Sequence, residues 1–141
     1  MQTNADTPFT VVPIAYVESR LRERSEAPRQ GDEGAPDAWL SFEPAVAAGL
    51  ADLRAGDEVI LLSWLHQADR TVLSVHPRSD PERRLTGVFS TRSPDRPNPI
   101  GLHRVRVLVV EGLRVHVAGL EAIDGTPIID VKPVLGRGAM R

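Results

Sequence analysis

The chain has no cysteine, which excludes disulfide staples and thiolate metal sites and leaves the redox compartment unmarked. Aromatic residues make up only 4%, too few for an RNA-recognition surface built on stacked bases, and no such signature is visible. Lysine occurs once, at Lys132, and every other basic side chain is an arginine. No apolar run approaches the roughly 20 residues of a membrane span, and MQTNADTPFT lacks a basic region followed by an apolar one. A soluble cytoplasmic protein without a membrane partner is therefore expected. Dinucleotide, P-loop, HExxH, G-x-S-x-G and CxxC patterns are all missing, which removes the common nucleotide, zinc and serine-hydrolase readings. The four histidines (His66, His76, His103, His116) show no ligand spacing, so no metal is expected.

What is present fits one compact domain over residues 1–141, with 41% hydrophobic content to build a core. Strand formers dominate. Phe9 to Glu18, with Pro13 inside it, reads as an edge strand or a strand start rather than a central strand. Ser19 to Asp37, polar and rich in proline and glycine, reads as a long loop of the kind that carries function. A short strand at Ala38 to Phe42 precedes a helix over Pro44 to Leu53, ended by Ala55-Gly56-Asp57. Asp57 to His66 contains Val59-Ile60-Leu61-Leu62, suited to a strand buried on both faces. Thr71 to His76 reads as a strand. Leu102 to Val110 and Leu113 to Leu120 read as a hairpin around Glu111-Gly112, with Val105, Val107 and Val109 on one face. Many short strands and one helix predict an all-β fold, a small β-barrel with long functional loops.

Two segments carry chemistry. Thr86 to Leu102, TGVFSTRSPDRPNPIGL, holds three X-Pro steps (Ser93-Pro94, Arg96-Pro97, Asn98-Pro99) that restrict φ and favour an extended path. Arg92, Arg96 and Asn98 are then donors on a rigid scaffold, with planar guanidinium forks suited to carboxylate, phosphate or a base edge. In Ala122 to Pro133, AIDGTPIIDVKP, Asp124-Gly125 marks a turn and Thr126-Pro127 restarts an extended chain. Alternation places Asp130 and Lys132 on one strand face and Ile129 and Val131 on the other. The net charge is −2, yet His76 to Arg106 holds seven arginines against three acids (Asp80, Glu82, Asp95), a modest footprint for an RNA backbone.

Pro28-Arg29-Gln30, Leu65-His66-Gln67-Ala68-Asp69-Arg70 and these two segments, in this order, resemble the TrmO family, also called YaeB or TsaA-like, of S-adenosylmethionine-dependent tRNA methyltransferases. The resemblance runs over most of the chain. It implies a small β-barrel core, a homodimer, S-adenosylmethionine as methyl donor, and tRNA as partner, methylated on N6 of threonylcarbamoyl-modified adenosine beside the anticodon. By position, the donor-binding residues would be Pro28, Arg29, Gln30, His66, Gln67, Arg92, Leu102, Ile123, Asp124, Gly125 and Thr126. The chain departs from the family after Lys132-Pro133, where Val134-Leu135 and Gly136-Arg137-Gly138 replace a tyrosine and an acidic stretch. It resembles a short form without the C-terminal domain of long members.

In-line displacement at a sulfonium methyl group is mostly a matter of positioning. If a base is used, Asp130 is the candidate, with Lys132, Arg96 and Asn98 orienting the acceptor. Two further readings stand beside this one: a methyltransferase of another small or nucleoside acceptor, and a non-catalytic S-adenosylmethionine-binding module.

Overall fold

A computed structural model describes residues 7–29 and 33–136. Among these residues eight strands form, β1 (Ala15–Glu18), β2 (Ala38–Phe42), β3 (Glu58–Trp64), β4 (Ser74–Val75), β5 (Thr86–Gly87), β6 (Ile100–Glu111), β7 (Arg114–Val117) and β8 (Pro127–Pro133). Six of them close into an antiparallel barrel in the order β1-β2-β7-β6-β3-β8, while β4 and β5 make a separate two-stranded ribbon. Closure is direct, since β1 pairs with β2 on one side and with β8 on the other. The barrel thus has no terminal strand, although residues 100–105 of β6 and 130–133 of β8 pair on one side only.

The interior is filled by small and branched side chains: Ala15, Val17, Ala38, Leu40, Val59, Leu61, Val105, Val107, Val115, Val117 and Ile128 are all buried, with Phe42 the one ring among them. A six-stranded barrel leaves little room inside, so scarcity of aromatics and plenty of valine is the composition such a core demands. Along β3 and β6 the inward positions change character. Val59 and Val105, then Leu61 and His103, then Ser63 and Gly101 face each other in register, so the lining turns from apolar to polar toward one rim.

That rim is where the long connections emerge. Because neighbouring strands alternate in direction, the excursions 19–37 (β1 to β2), 65–99 (β3 to β6) and 118–126 (β7 to β8) all leave the same end of the barrel. The 65–99 excursion starts and returns side by side: Trp64 pairs with Ile100, and the Leu65 N–H donates to the Pro99 carbonyl at 2.8 Å. The opposite rim carries only the 43–57 connection, the tight turn between β6 and β7, and the outer ends of β1 and β8.

Several sequence expectations are corrected. The first strand is paired on both sides and begins only at Ala15, with Val11 and Val12 left 58% and 67% exposed, because Pro13 has no N–H and barrel pairing begins at Ile14. The 44–53 helix is a 3-10 helix at Pro44–Leu50, and no α-helix occurs among the described residues. Strand β3 is buried on its inner face alone, with Ile60, Leu62 and Trp64 half-buried outside. The 71–76 strand shrinks to β4. Two bulges break the simple alternation. One between Val107 and Val109 turns Val109 outward and brings Val110 onto the core; the other, in β8 opposite Leu62 and Ser63, leaves Ile129 as the extra residue while Ile128 and Val131 face inward. Among the described residues no helix is long and apolar enough to cross a membrane.

Candidate functional site

The three excursions border an open groove of about 1410 Å³ that starts at the polar rim and runs along residues 100–106 of β6 as far as Glu58, more than a small-molecule ligand fills. Eight of the residues expected from the resemblance line it: Pro28, Arg29, His66, Gln67, Arg92, Leu102, Ile123 and Thr126. They come from separate stretches of chain. Asp124 and Gly125 complete the 123–126 turn without lining the groove, and Gln30 lies outside the described residues.

The groove walls are tied to one another by arginines. Arg24 pairs with Asp95 at 3.0 Å and donates to the Gln67 carbonyl at 3.2 Å, joining the 24–29 segment to the 65–99 excursion. Arg29 donates to the Arg78 carbonyl at 3.2 Å and the Ser79 hydroxyl at 3.4 Å. Arg78 and Ser79 both sit at positive φ, 55° and 59°, a local strain that this contact accompanies. Asp69 accepts from the Thr71 hydroxyl at 2.6 Å and its N–H at 2.8 Å. The hydroxyl, then the backbone bond, hold the Asp69 carboxyl below its ordinary value.

The proline-rich segment is rigid in the way its sequence predicts, but its donors are used differently. Arg96 lines the groove, yet its guanidinium donates to the Val88 carbonyl at 2.7 Å and to the Thr91 and Ser93 carbonyls at 3.1 Å each. It is a clamp on its own loop. Asn98 accepts from Arg70 at 3.1 Å and lies outside the groove. Arg92 is exposed and has no side-chain partner among the described residues, so it is the segment's available fork. His66 is likewise exposed and unpartnered.

In the 123–126 turn, Gly125 stands at φ +82°, a conformation that favours glycine. The Asp124, Gly125 and Thr126 N–H groups are already donated, to Leu21, Val17 and Ile123 carbonyls at 2.6, 2.7 and 3.2 Å. Among the described residues the Asp124 and Gly125 carbonyls take no backbone partner, but these two residues stand outside the groove; the carbonyls of the groove residues Ile123 and Thr126 already accept, from Thr126 and from the Val17 N–H.

Asp130 and Lys132 share a face as expected and form an ion pair at 2.9 Å. They do not line the groove; Asp130 instead borders a smaller cavity of about 350 Å³ at the other rim. Register nevertheless sets Asp130 opposite Leu62, and Leu62 opposite Leu102, so the pair lies on the barrel's outer face two strands from a groove residue, about 10 Å at ordinary strand spacing.

Sequence reading missed the buried polar array at the rim. The Ser63 hydroxyl lies 2.6 Å from His103 Nε2, and His103 Nδ1 contacts Glu121 Oε1. Its only sequence signal is that Ser63 and His103 fall on the inward alternation of apolar strands. Two arginines of the arginine-rich stretch, Arg78 and Arg104, are paired with Glu33 and Glu58, which come from outside it. Among the described residues, no group of three or more His, Asp or Glu could hold a metal ion.

Comparison with known proteins agrees with this architecture. Residues 16–137 match the family model of the tRNA-methyltransferase O N-terminal domain. A probable S-adenosyl-L-methionine-binding protein of Methanothermobacter thermautotrophicus is 40% identical over 129 residues, 92% of either chain. An S-adenosyl-L-methionine-binding protein of Archaeoglobus fulgidus is 42% identical over 85% of each. The crystal structure of TrmO from Pseudomonas aeruginosa superposes with a TM-score of 0.73 at 32% identity, covering 92% of this chain and 57% of that one. The protein thus spans little more than half of the solved enzyme's length. On these matches and the barrel they share, the chain belongs to the family of the tRNA-methyltransferase O N-terminal domain.

Proposed function

We propose that the chain binds S-adenosylmethionine in the rim groove and is a methyltransferase acting on tRNA, at N6 of threonylcarbamoyl-modified adenosine beside the anticodon. The observation that carries this reading is the convergence of Pro28, Arg29, His66, Gln67, Arg92, Leu102, Ile123 and Thr126 on one groove from distant parts of the sequence. The groove suits the molecule: Leu102 and Ile123 offer apolar surface for the adenine ring, and the Arg92 fork suits a carboxylate. When bound, the donor supplies an electrophilic methyl group on a sulfonium sulfur.

The chain's own part is positioning. Arg96 fixes the Arg92-bearing loop, Arg24 and Arg29 fix the facing wall, and Leu102 offers apolar surface beside them. Catalysis of this kind draws on pre-paid orientation rather than on a strong acid or base. Asp130, ion-paired with Lys132 on the adjoining outer face, is the base we assign if one is used. That face also bears Ile100 and Leu102, 45% and 49% exposed, and we assign it to a homodimer contact that brings a second chain against the groove edge. The protein acts in the cytoplasm.

Incubation with methyl-labelled S-adenosylmethionine and tRNA that carries or lacks the threonylcarbamoyl group tests the proposal. Label in the modified tRNA alone is expected; label in neither, with donor binding intact, excludes this acceptor. A second reading is favoured by the match along 92% of a relative named only for binding the donor: the chain is a binding module. It predicts donor binding with no methyl transfer to any RNA.

A further inference from the structure

The array of Ser63, His103 and Glu121 resembles a nucleophile-base-acid triad in its contacts, but Ser63 is 0% exposed, so no substrate carbonyl can reach its hydroxyl. Its organisation makes sense read from the other end. Glu121 lines the groove with its side chain 15% exposed. Oε1 is occupied by His103 Nδ1, and His103 is itself fixed at Nε2 by Ser63. Among the described residues Oε2 takes no partner, and no side-chain oxygen buried from solvent lacks one. The free oxygen therefore remains accessible, at the groove where Glu121 sits. The groove's other carboxylates are engaged, Asp95 with Arg24 and Glu58 with Arg104.

A carboxylate mostly withdrawn from water, held by a buried imidazole and left with one open oxygen, is arranged to receive a positively charged group. We propose that Glu121 is the groove's cation-binding residue, its Oε2 receiving a positively charged group of the bound ligand, and that His103 and Ser63 are positioning residues that aim it. This rests on the donor-binding reading, in which the ligand carries an ammonium and a sulfonium group. Gly101 is part of the device, because a Cβ there would fall 2.4 Å from the Ser63 hydroxyl and 2.7 Å from His103 Nε2.

The test is calorimetric titration of the full chain with S-adenosylmethionine and with S-adenosylhomocysteine, which lacks the sulfonium charge. Glu121→Gln keeps the shape and the acceptor for His103 while removing the charge. It is expected to weaken S-adenosylmethionine binding about tenfold to a hundredfold. Loss confined to S-adenosylmethionine assigns the sulfonium, and equal loss for both assigns the ammonium. An affinity within twofold of wild type overturns the proposal, since a purely structural glutamate predicts that result. His103→Asn retains an N–H donor near the Nδ1 position and should keep affinity that His103→Leu loses, each compared after circular dichroism shows it folded. Equal binding by the two overturns the positioning role. If wild type binds neither ligand, the donor-binding reading itself falls; if it binds and Glu121→Gln matches it, only this assignment does.

Discussion

Gly101→Ala replaces one hydrogen with a methyl group at the most crowded glycine of the barrel. The added carbon would stand 2.4 Å from Ser63 Oγ, 2.7 Å from His103 Nε2 and 3.1 Å from Leu65 Cδ2. None can simply step aside: Ser63 is fully buried, its hydroxyl is bonded to His103, and His103 is held by Glu121. Overpacking of this kind costs about 1–3 kcal/mol, and displacing the Ser63–His103 hydrogen bond adds about 1 kcal/mol. A total near 3 kcal/mol, at a urea slope of about 2 kcal/mol/M, lowers the unfolding midpoint by about 1.5 M. Ser63→Ala in the same chain removes the nearest obstacle, so the double variant should recover more than half of that loss. Additivity of the two single changes, or a midpoint shift under about 0.3 M for Gly101→Ala, would refute the rim packing described above.

Three further outcomes follow from the same geometry. Arg96→Ala strips three carbonyls of their guanidinium and should cost about 1–3 kcal/mol, with faster hydrogen exchange confined to residues 88–96; unchanged exchange there would contradict its role as a clamp. Gly125→Ala meets no atom within 4 Å but must adopt φ +82°, so it should lose about 1–2 kcal/mol from conformation alone, and Gly125→Asn less, as compared by denaturant melts. Thr71→Val removes the bond that most lowers the Asp69 pKa. Because the folded carboxyl titrates below its unfolded value, its stabilisation is present above the unfolded value and lost as pH falls through the lowered one. In Thr71→Val the Asp69 titration followed by NMR should move up toward the ordinary carboxylate value, and no movement would remove Thr71 as the cause.

Much of this was legible in the residues, and the remainder was hidden for identifiable reasons. Alternation in the hairpin put Val105 and Val107 on one face, and both are buried in the core, because period-2 patterning is a direct imprint of a one-sided strand. It failed at Val109 and Ile129, where bulges add a residue that no local pattern announces. The X-Pro steps predicted a rigid loop, but not that Arg96 would serve that rigidity itself, since its three carbonyl partners are fixed only once the chain folds back. Asp130 and Lys132 were correctly put on one face; their distance from the groove depends on barrel order, which sequence spacing does not encode. The Ser63–His103–Glu121 array joins three segments through long-range pairing, so no motif could display it.

The central claim is that the rim groove binds S-adenosylmethionine, and calorimetric titration of the purified protein, with Arg92→Ala alongside, tests it most directly. Among the described residues Arg92 has no side-chain partner to lose, so its removal should leave the fold unchanged and weaken the ligand about tenfold or more. Micromolar binding by the wild type, reduced in Arg92→Ala, is the predicted result; absence of binding at millimolar donor would contradict the account.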